Sequence, residues 1–254
     1  MKAAVRGGTR DAGSRAPRER YEGERMRAEQ ISIGGIPAIL YGDPAGRGYL
    51  FLHGQMGRKE EAEAFALAAC PRGHQVLSID LPGHGARQGR GEELAPWTAV
   101  PDIRAALDWA ERRWASISLR ATSIGAYFAM LAFANPARAL LLSPVLDMEG
   151  LILTMMSGAG VSEAQLRERG EITTSRGQLL SWKYLRWVRE HPVHRWACPI
   201  RILWGSGDNM TPRETVEAYT RRHSARLTVL EGGEHWFHTP EQLAALKKWE
   251  ETES

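Results

Sequence analysis

At 254 residues, with 43% hydrophobic and 25% charged residues, the chain has enough apolar surface for a folded core without disulfide or metal staples. Its net charge of +3 is local, because residues 1–30 carry eight basic and five acidic groups and the rest of the chain holds 25 of each, which argues against a nucleic-acid or anionic-membrane partner for the body. No apolar run approaches the roughly 18 residues of a membrane span, and Cys70 and Cys198, the only cysteines, lack metal-ligand spacing and point to a reducing, cytoplasmic compartment.

Residues 1–28 are rich in arginine and glycine with no apolar periodicity, so a disordered basic arm is expected there. The run Met26-Arg27-Ala28-Glu29-Gln30 reads as a natural start ahead of the first strand. Strands are predicted at 30–33 and 37–41, forming an antiparallel edge, and at 49–52, 75–79, 116–120 and 139–142, with helical stretches between the later ones. Strand–helix alternation implies a mainly parallel sheet covered on both faces. It breaks for some fifty residues after Ser143-Pro144. Residues 146–196, with helix-like patches at 162–169 and 178–189, are therefore expected to form a helical lid inserted into a core of 29–145 and 197–254. Alternation resumes with strands at 199–205 and 226–230 and a final helix at 239–250.

Candidate chemistry falls at the strand ends. Strand 49–52 runs into His53-Gly54-Gln55-Met56-Gly57, a turn whose backbone N–H groups can point into a site. Strand 75–79 runs into Asp80-Leu81-Pro82-Gly83-His84-Gly85, where Asp80 and His84 are expected to stabilise the loop. Strand 116–120 runs into Ala121-Thr122-Ser123-Ile124-Gly125, in which small residues two positions either side of the serine suit a sharp strand-to-helix turn that projects the hydroxyl. Late in the chain, Gly205-Ser206-Gly207 bends the backbone ahead of Asp208, and Glu231-Gly232-Gly233-Glu234 leads to His235. Asp147 is an alternative acid, but the glycine bend favours Asp208. His238 is read as structural. Scattered histidines without paired ligand spacing leave no expected metal or other cofactor.

Taken together and in this order, these motifs resemble the α/β-hydrolase superfamily over about residues 29–252, and within it small esterases and serine-aminopeptidase-like hydrolases. Ala121 departs from the usual first elbow glycine, and Gln55 is unusual beside the turn. The resemblance implies an α/β-hydrolase fold and a serine hydrolase acting on a small-molecule ester or related acyl compound through an acyl-enzyme. Ser123 would be the nucleophile, His235 the base and Asp208 the acid, with the N–H groups of Gln55 and Ile124 as oxyanion hole. Met56, Met155, Trp182 and Trp236 are candidates for the substrate pocket. The competing reading is a catalytically silent fold that binds a ligand or partner.

Overall fold

The computed structural model describes residues 26–175 and 177–254. The chain opens with β1 (Ala28–Ile33), β2 (Ile36–Tyr41) and β3 (Arg47–Leu52), followed by α1 (Ala62–Ala69), β4 (Gln75–Ile79), α2 (Pro96–Glu111), β5 (Ser116–Thr122), α3 (Ile124–Ala132) and β6 (Ala139–Leu142). After an interval described below, β9 (Ile200–Gly205), α7 (Arg213–His223), β10 (Arg226–Leu230) and α8 (Pro240–Glu253) complete it. Eight strands form one sheet in the order β1-β2-β4-β3-β5-β6-β9-β10. β2 is antiparallel to both β1 and β4, and every pairing from β4 through β10 is parallel. This is the α/β-hydrolase fold.

Strand periodicity divides the core in two. Leu50, Leu52, Leu119 and Ala121 face the side covered by α2 and α3, whereas Tyr49, Phe51, Leu140 and Leu142 face α1 and α8. Arg120 is the exception on the second face. It is 2% exposed, and its Nε donates to Glu250 Oε1 of α8 at 2.8 Å while Nη1 donates to Thr122 Oγ1 at 2.8 Å, so the central strand carries a fully partnered buried charge.

Between β6 and β9 the chain leaves the sheet to form α4 (Met148–Gly158), α5 (Glu163–Arg169), the antiparallel pair β7 (Glu171–Thr173) and β8 (Leu179–Ser181), and α6 (Trp182–Glu190). The hairpin corrects the helical expectation for 178–189. Residues 179–181 are drawn into a ladder with 171–173, and Ser181, accepting from the Tyr184 N–H, caps the helix that follows. At the other end, residues 26–28, assigned to the basic arm, belong to the folded body: Met26 packs on the core, the Arg27 carbonyl accepts from the Gly42 N–H, and Ala28 opens β1. Residues 1–25 of that arm lie outside the described residues. Among the described residues, no helix is long and apolar enough to cross a membrane.

The chain runs from β3 outward to β4, then crosses back to β5 on the opposite side of β3. Loops after β3 and β5 therefore diverge, leaving a crevice at the carboxyl edge. Two buried groups fix its floor. Asp80 accepts from the Lys59 N–H and Nζ and from the Ala86 N–H, and a Cβ on Gly85 (φ +52°) would collide with that carboxylate. His53 Nε2 accepts from the Leu81 N–H at 3.0 Å and its Nδ1 lies 2.7 Å from the Gly54 carbonyl, a pattern that only the neutral Nδ1–H ring satisfies. Burial, aided by His84, pushes the His53 pKa down to about 4. An unfolded chain takes up that proton near pH 6.5. His53 therefore contributes about 3 kcal/mol of stability that is whole above pH 6.5 and lost as pH falls through 4. Urea-unfolding free energy should fall between pH 6.5 and 4.5 while the His53 nitrogen resonances remain those of a neutral ring at pH 5; a ring protonating near pH 6 in the folded protein is the opposing result.

Candidate active site

Ser123 joins β5 to α3 in a conformation that side chains seldom adopt, φ 51° and ψ −121°. Such a backbone costs about 1–3 kcal/mol and persists only where its surroundings dictate it. Here its N–H donates to the Leu142 carbonyl at 3.0 Å, and its carbonyl accepts from the N–H groups of Ala126 and Val145. Gly125 is obligatory, because a Cβ there would lie 2.4 Å from the His53 carbonyl oxygen. Ala121, by contrast, is fully buried in the core with its methyl accommodated, so the departure at the first elbow position leaves the turn intact.

The loops after β9 and β10 bring the other two groups to the serine. Ser123 Oγ lies 2.8 Å from His235 Nε2, and His235 Nδ1 lies 2.8 Å from Asp208 Oδ2. Asp208 is inaccessible at its side chain, and its second oxygen accepts from the N–H groups of Met210 and Thr211 at 2.8 and 3.0 Å. With Nδ1–H donating to the carboxylate, Nε2 is left to accept the serine proton. Asp147 stands elsewhere. It is exposed and accepts from the Gly150 N–H at 2.9 Å as the N-cap of α4. His238 is likewise outside the relay, its Nδ1 directed at the Trp236 carbonyl.

Gln55 and Met56 occupy the bend of a turn closed by the Gly57 N–H on the Gly54 carbonyl, with Met56 at φ 64°. A Cβ on Gly54 would sit 3.3 Å from Ser123 Cβ, so this turn rests directly against the serine. Ile124 is the first residue of α3, where helical N–H groups lack intrahelical partners. Gln55, Ser123 and Ile124 share the lining of a cleft of about 300 Å³.

The other walls of the cleft come mostly from the segment between β6 and β9. Met148, Leu151, Ile152 and Met155 project from one face of α4, joined by Leu180 and Tyr184. Of the four predicted pocket residues, Met155 alone lines it. Met56 is 89% exposed because its left-handed backbone turns the side chain to solvent. Trp236 is 75% exposed and stacks on His238 at 4.9 Å, since His235 takes the inward position in that loop. Trp182 lines a separate surface groove, with the Arg167 guanidinium 4.9 Å from its ring centre. Four residues at spacings of three and four along α4 were a legible helical stripe. Glu93 and Leu94, which reach the cleft from the loop before α2, carried no such signal. Among the described residues, no group of three or more His, Cys, Asp or Glu side chains could hold a metal ion.

Comparison with solved structures gives several similar chains. Est1E from Butyrivibrio proteoclasticus, with ferulic acid bound, is 21% identical with a TM-score of 0.70, covering 89% of this chain and 97% of its own. Mouse alpha/beta hydrolase domain-containing protein 10 is 17% identical with a TM-score of 0.62, covering 89% and 96%. An esterase from Pyrococcus furiosus is 14% identical with a TM-score of 0.61, covering 90% and 88%. At these identities the likeness is one of fold. A search of curated proteins finds no match to the sequence. The sequence pattern of the alpha/beta hydrolase family, however, matches residues 49–246, and on that match the chain belongs to the alpha/beta hydrolase family.

Proposed function

We propose that the chain is a serine hydrolase that cleaves a carboxylic ester or related acyl compound through an acyl-enzyme. The observation that carries this reading is the continuous relay from Ser123 Oγ to His235 to Asp208, two contacts of 2.8 Å each, opening onto a cleft. Ser123 attacks the carbonyl carbon as His235 Nε2 takes its proton. Asp208 holds the Nδ1–H tautomer and stabilises the imidazolium. The N–H groups of Gln55 and Ile124 receive the charge that develops on the carbonyl oxygen. His235 then returns the proton to the departing alcohol, and water repeats the sequence on the acyl-serine. The segment between β6 and β9 serves as a lid whose apolar α4 face holds the organic portion of the substrate. Solved structures of similar fold include an esterase and a thioesterase domain, so the leaving group is assigned only as far as an acyl acceptor.

Three variants test the assignment. A fluorophosphonate probe should label Ser123, and Ser123→Ala should abolish both labelling and ester turnover; retained labelling elsewhere on the chain would remove Ser123 from the role. Asp208→Asn should lower kcat by about 10³–10⁴-fold, as expected when the imidazole loses its tautomer, whereas Asp147→Asn should change kcat by less than about twofold and cost only the ~1 kcal/mol of a helix cap. The reverse ranking would transfer the acid to Asp147.

A separate measurement is the pH profile. Imidazolium cannot accept the serine proton, so log kcat/KM should rise with unit slope along its acid limb. A profile flat through that region would exclude His235 as the base.

A further inference from the structure

Most of the cleft wall is carbon, with Gln55, Ser123 and Ser181 as its neutral polar groups. Val145, Met148, Leu151, Ile152 and Leu180 supply the apolar surface, and among the described residues that line the cleft Glu93 is the one with a formal charge. Glu93 is exposed, and its Oε2 accepts the Trp97 indole N–H at 3.1 Å. The ammonium of Lys183 on α6 sits 3.8 Å from the Trp97 ring centre and makes no ion pair with Glu93. The Lys183 ammonium is therefore engaged with an aromatic face and, among the described residues, leaves the Glu93 carboxylate without an ion-pair partner.

A second observation comes from the opposite element. Tyr184 packs edge-on to Trp97, with ring centres 5.7 Å apart, and lines the same cleft. Its hydroxyl is inaccessible, so Tyr184 presents its ring rather than its oxygen to the cleft.

We propose that Glu93 is a specificity-determining residue of the cleft, selecting substrates whose cleft-bound portion is an apolar chain ending in an alkylammonium group. The inference rests on reading the cleft as the substrate pocket. An ammonium head gains the Glu93 carboxylate and the neighbouring Tyr184 ring. A carboxylate head brings two like charges together beside apolar walls, where screening is weakest. A neutral chain of equal length binds by burial alone. Lys183 opposes this preference but faces the Trp97 ring, so it weakens the selection without reversing it.

The test needs no turnover. Equilibrium binding of hexylammonium, hexanol and hexanoate to the full chain, read by calorimetry, should rank in that order, with about tenfold between the two ions from one partly shielded charge acting with opposite signs on each. Glu93→Gln should bring ammonium and carboxylate within about twofold of each other and leave hexanol unchanged, and Glu93→Asp should restore most of the ratio. Ser123→Ala should keep the full preference while losing turnover, which separates this selectivity from the assignment of the nucleophile. Equal binding of the two ions by the natural sequence, absence of hexylammonium binding, or a ratio that survives Glu93→Gln would each overturn the proposal.

Discussion

The left-handed backbone at Ser123 is the constraint on which the remaining geometry depends. A serine held at φ 51° is unstable in isolation, so neighbouring strands must impose it. They do so from three directions. β6 supplies the carbonyl that binds the serine N–H, the segment after β6 supplies the Val145 N–H that binds its carbonyl, and the turn after β3 presses the His53 carbonyl against Gly125 so closely that no side chain fits. None of these is local to the Ala121–Gly125 motif. The elbow is therefore a property of the sheet centre, and the buried Arg120–Glu250 pair, three residues upstream, anchors the same strand to α8.

A second close approach sets the distance between Asp208 and His235. A Cβ on Gly205 would fall 2.3 Å from the Gly233 carbonyl oxygen, and that oxygen accepts the Gly207 N–H at 2.7 Å. Ser206 adds two bonds, its N–H to the Leu230 carbonyl and its hydroxyl to the Gly232 N–H. The loop bearing Asp208 and the loop bearing His235 are thus sewn together before either side chain is considered. Thr211 extends the seam, donating to the Pro144 carbonyl while its own carbonyl accepts the Trp204 indole N–H. Position, rather than any unusual chemistry of the acid and base, is what this glycine-rich packing provides.

These two seams explain what could be read from the sequence. Backbone-driven features leave a signature in residue type: Gly125 and Gly205 are glycine because nothing else fits, and strand ends can be counted from apolar runs. The convergence of Ser123, Asp208 and His235 at one edge of the sheet was legible for that reason, as were the sheet and its antiparallel edge. Side-chain direction in a loop leaves none. Met56 and Trp236 sit next to residues that face the cleft, yet each points to solvent, because adjacent positions in a tight turn project differently. The residues 179–181 look helical in sequence and pair as a strand because residues 171–173, eight positions earlier, offer an edge. Glu93 reaches the cleft through the path of a long loop, which no local pattern encodes.

The molecule also divides its ion pairs between buried and exposed positions. In the body, Asp80 with Lys59 and Arg120 with Glu250 are buried pairs with further hydrogen bonds, so losing one partner would strand an ion in a medium of low polarity. In the segment above the cleft, Arg189 of α6 bridges Glu149 of α4 and Glu163 of α5 on the surface, including a two-pronged contact at 2.9 Å to the latter. Exposed pairs of this kind contribute about 0–1 kcal/mol each and weaken with salt. The relay of Ser123, His235 and Asp208 is consequently mounted on elements that carry buried, hydrogen-bonded ion pairs, whereas most of the cleft walls belong to elements that pack on the core through Met148, Ile152 and Leu180 and whose ion pairs are exposed. Under the proposed function, substitutions in the segment between β6 and β9 change what enters the cleft while leaving the Ser123–His235–Asp208 contacts in place.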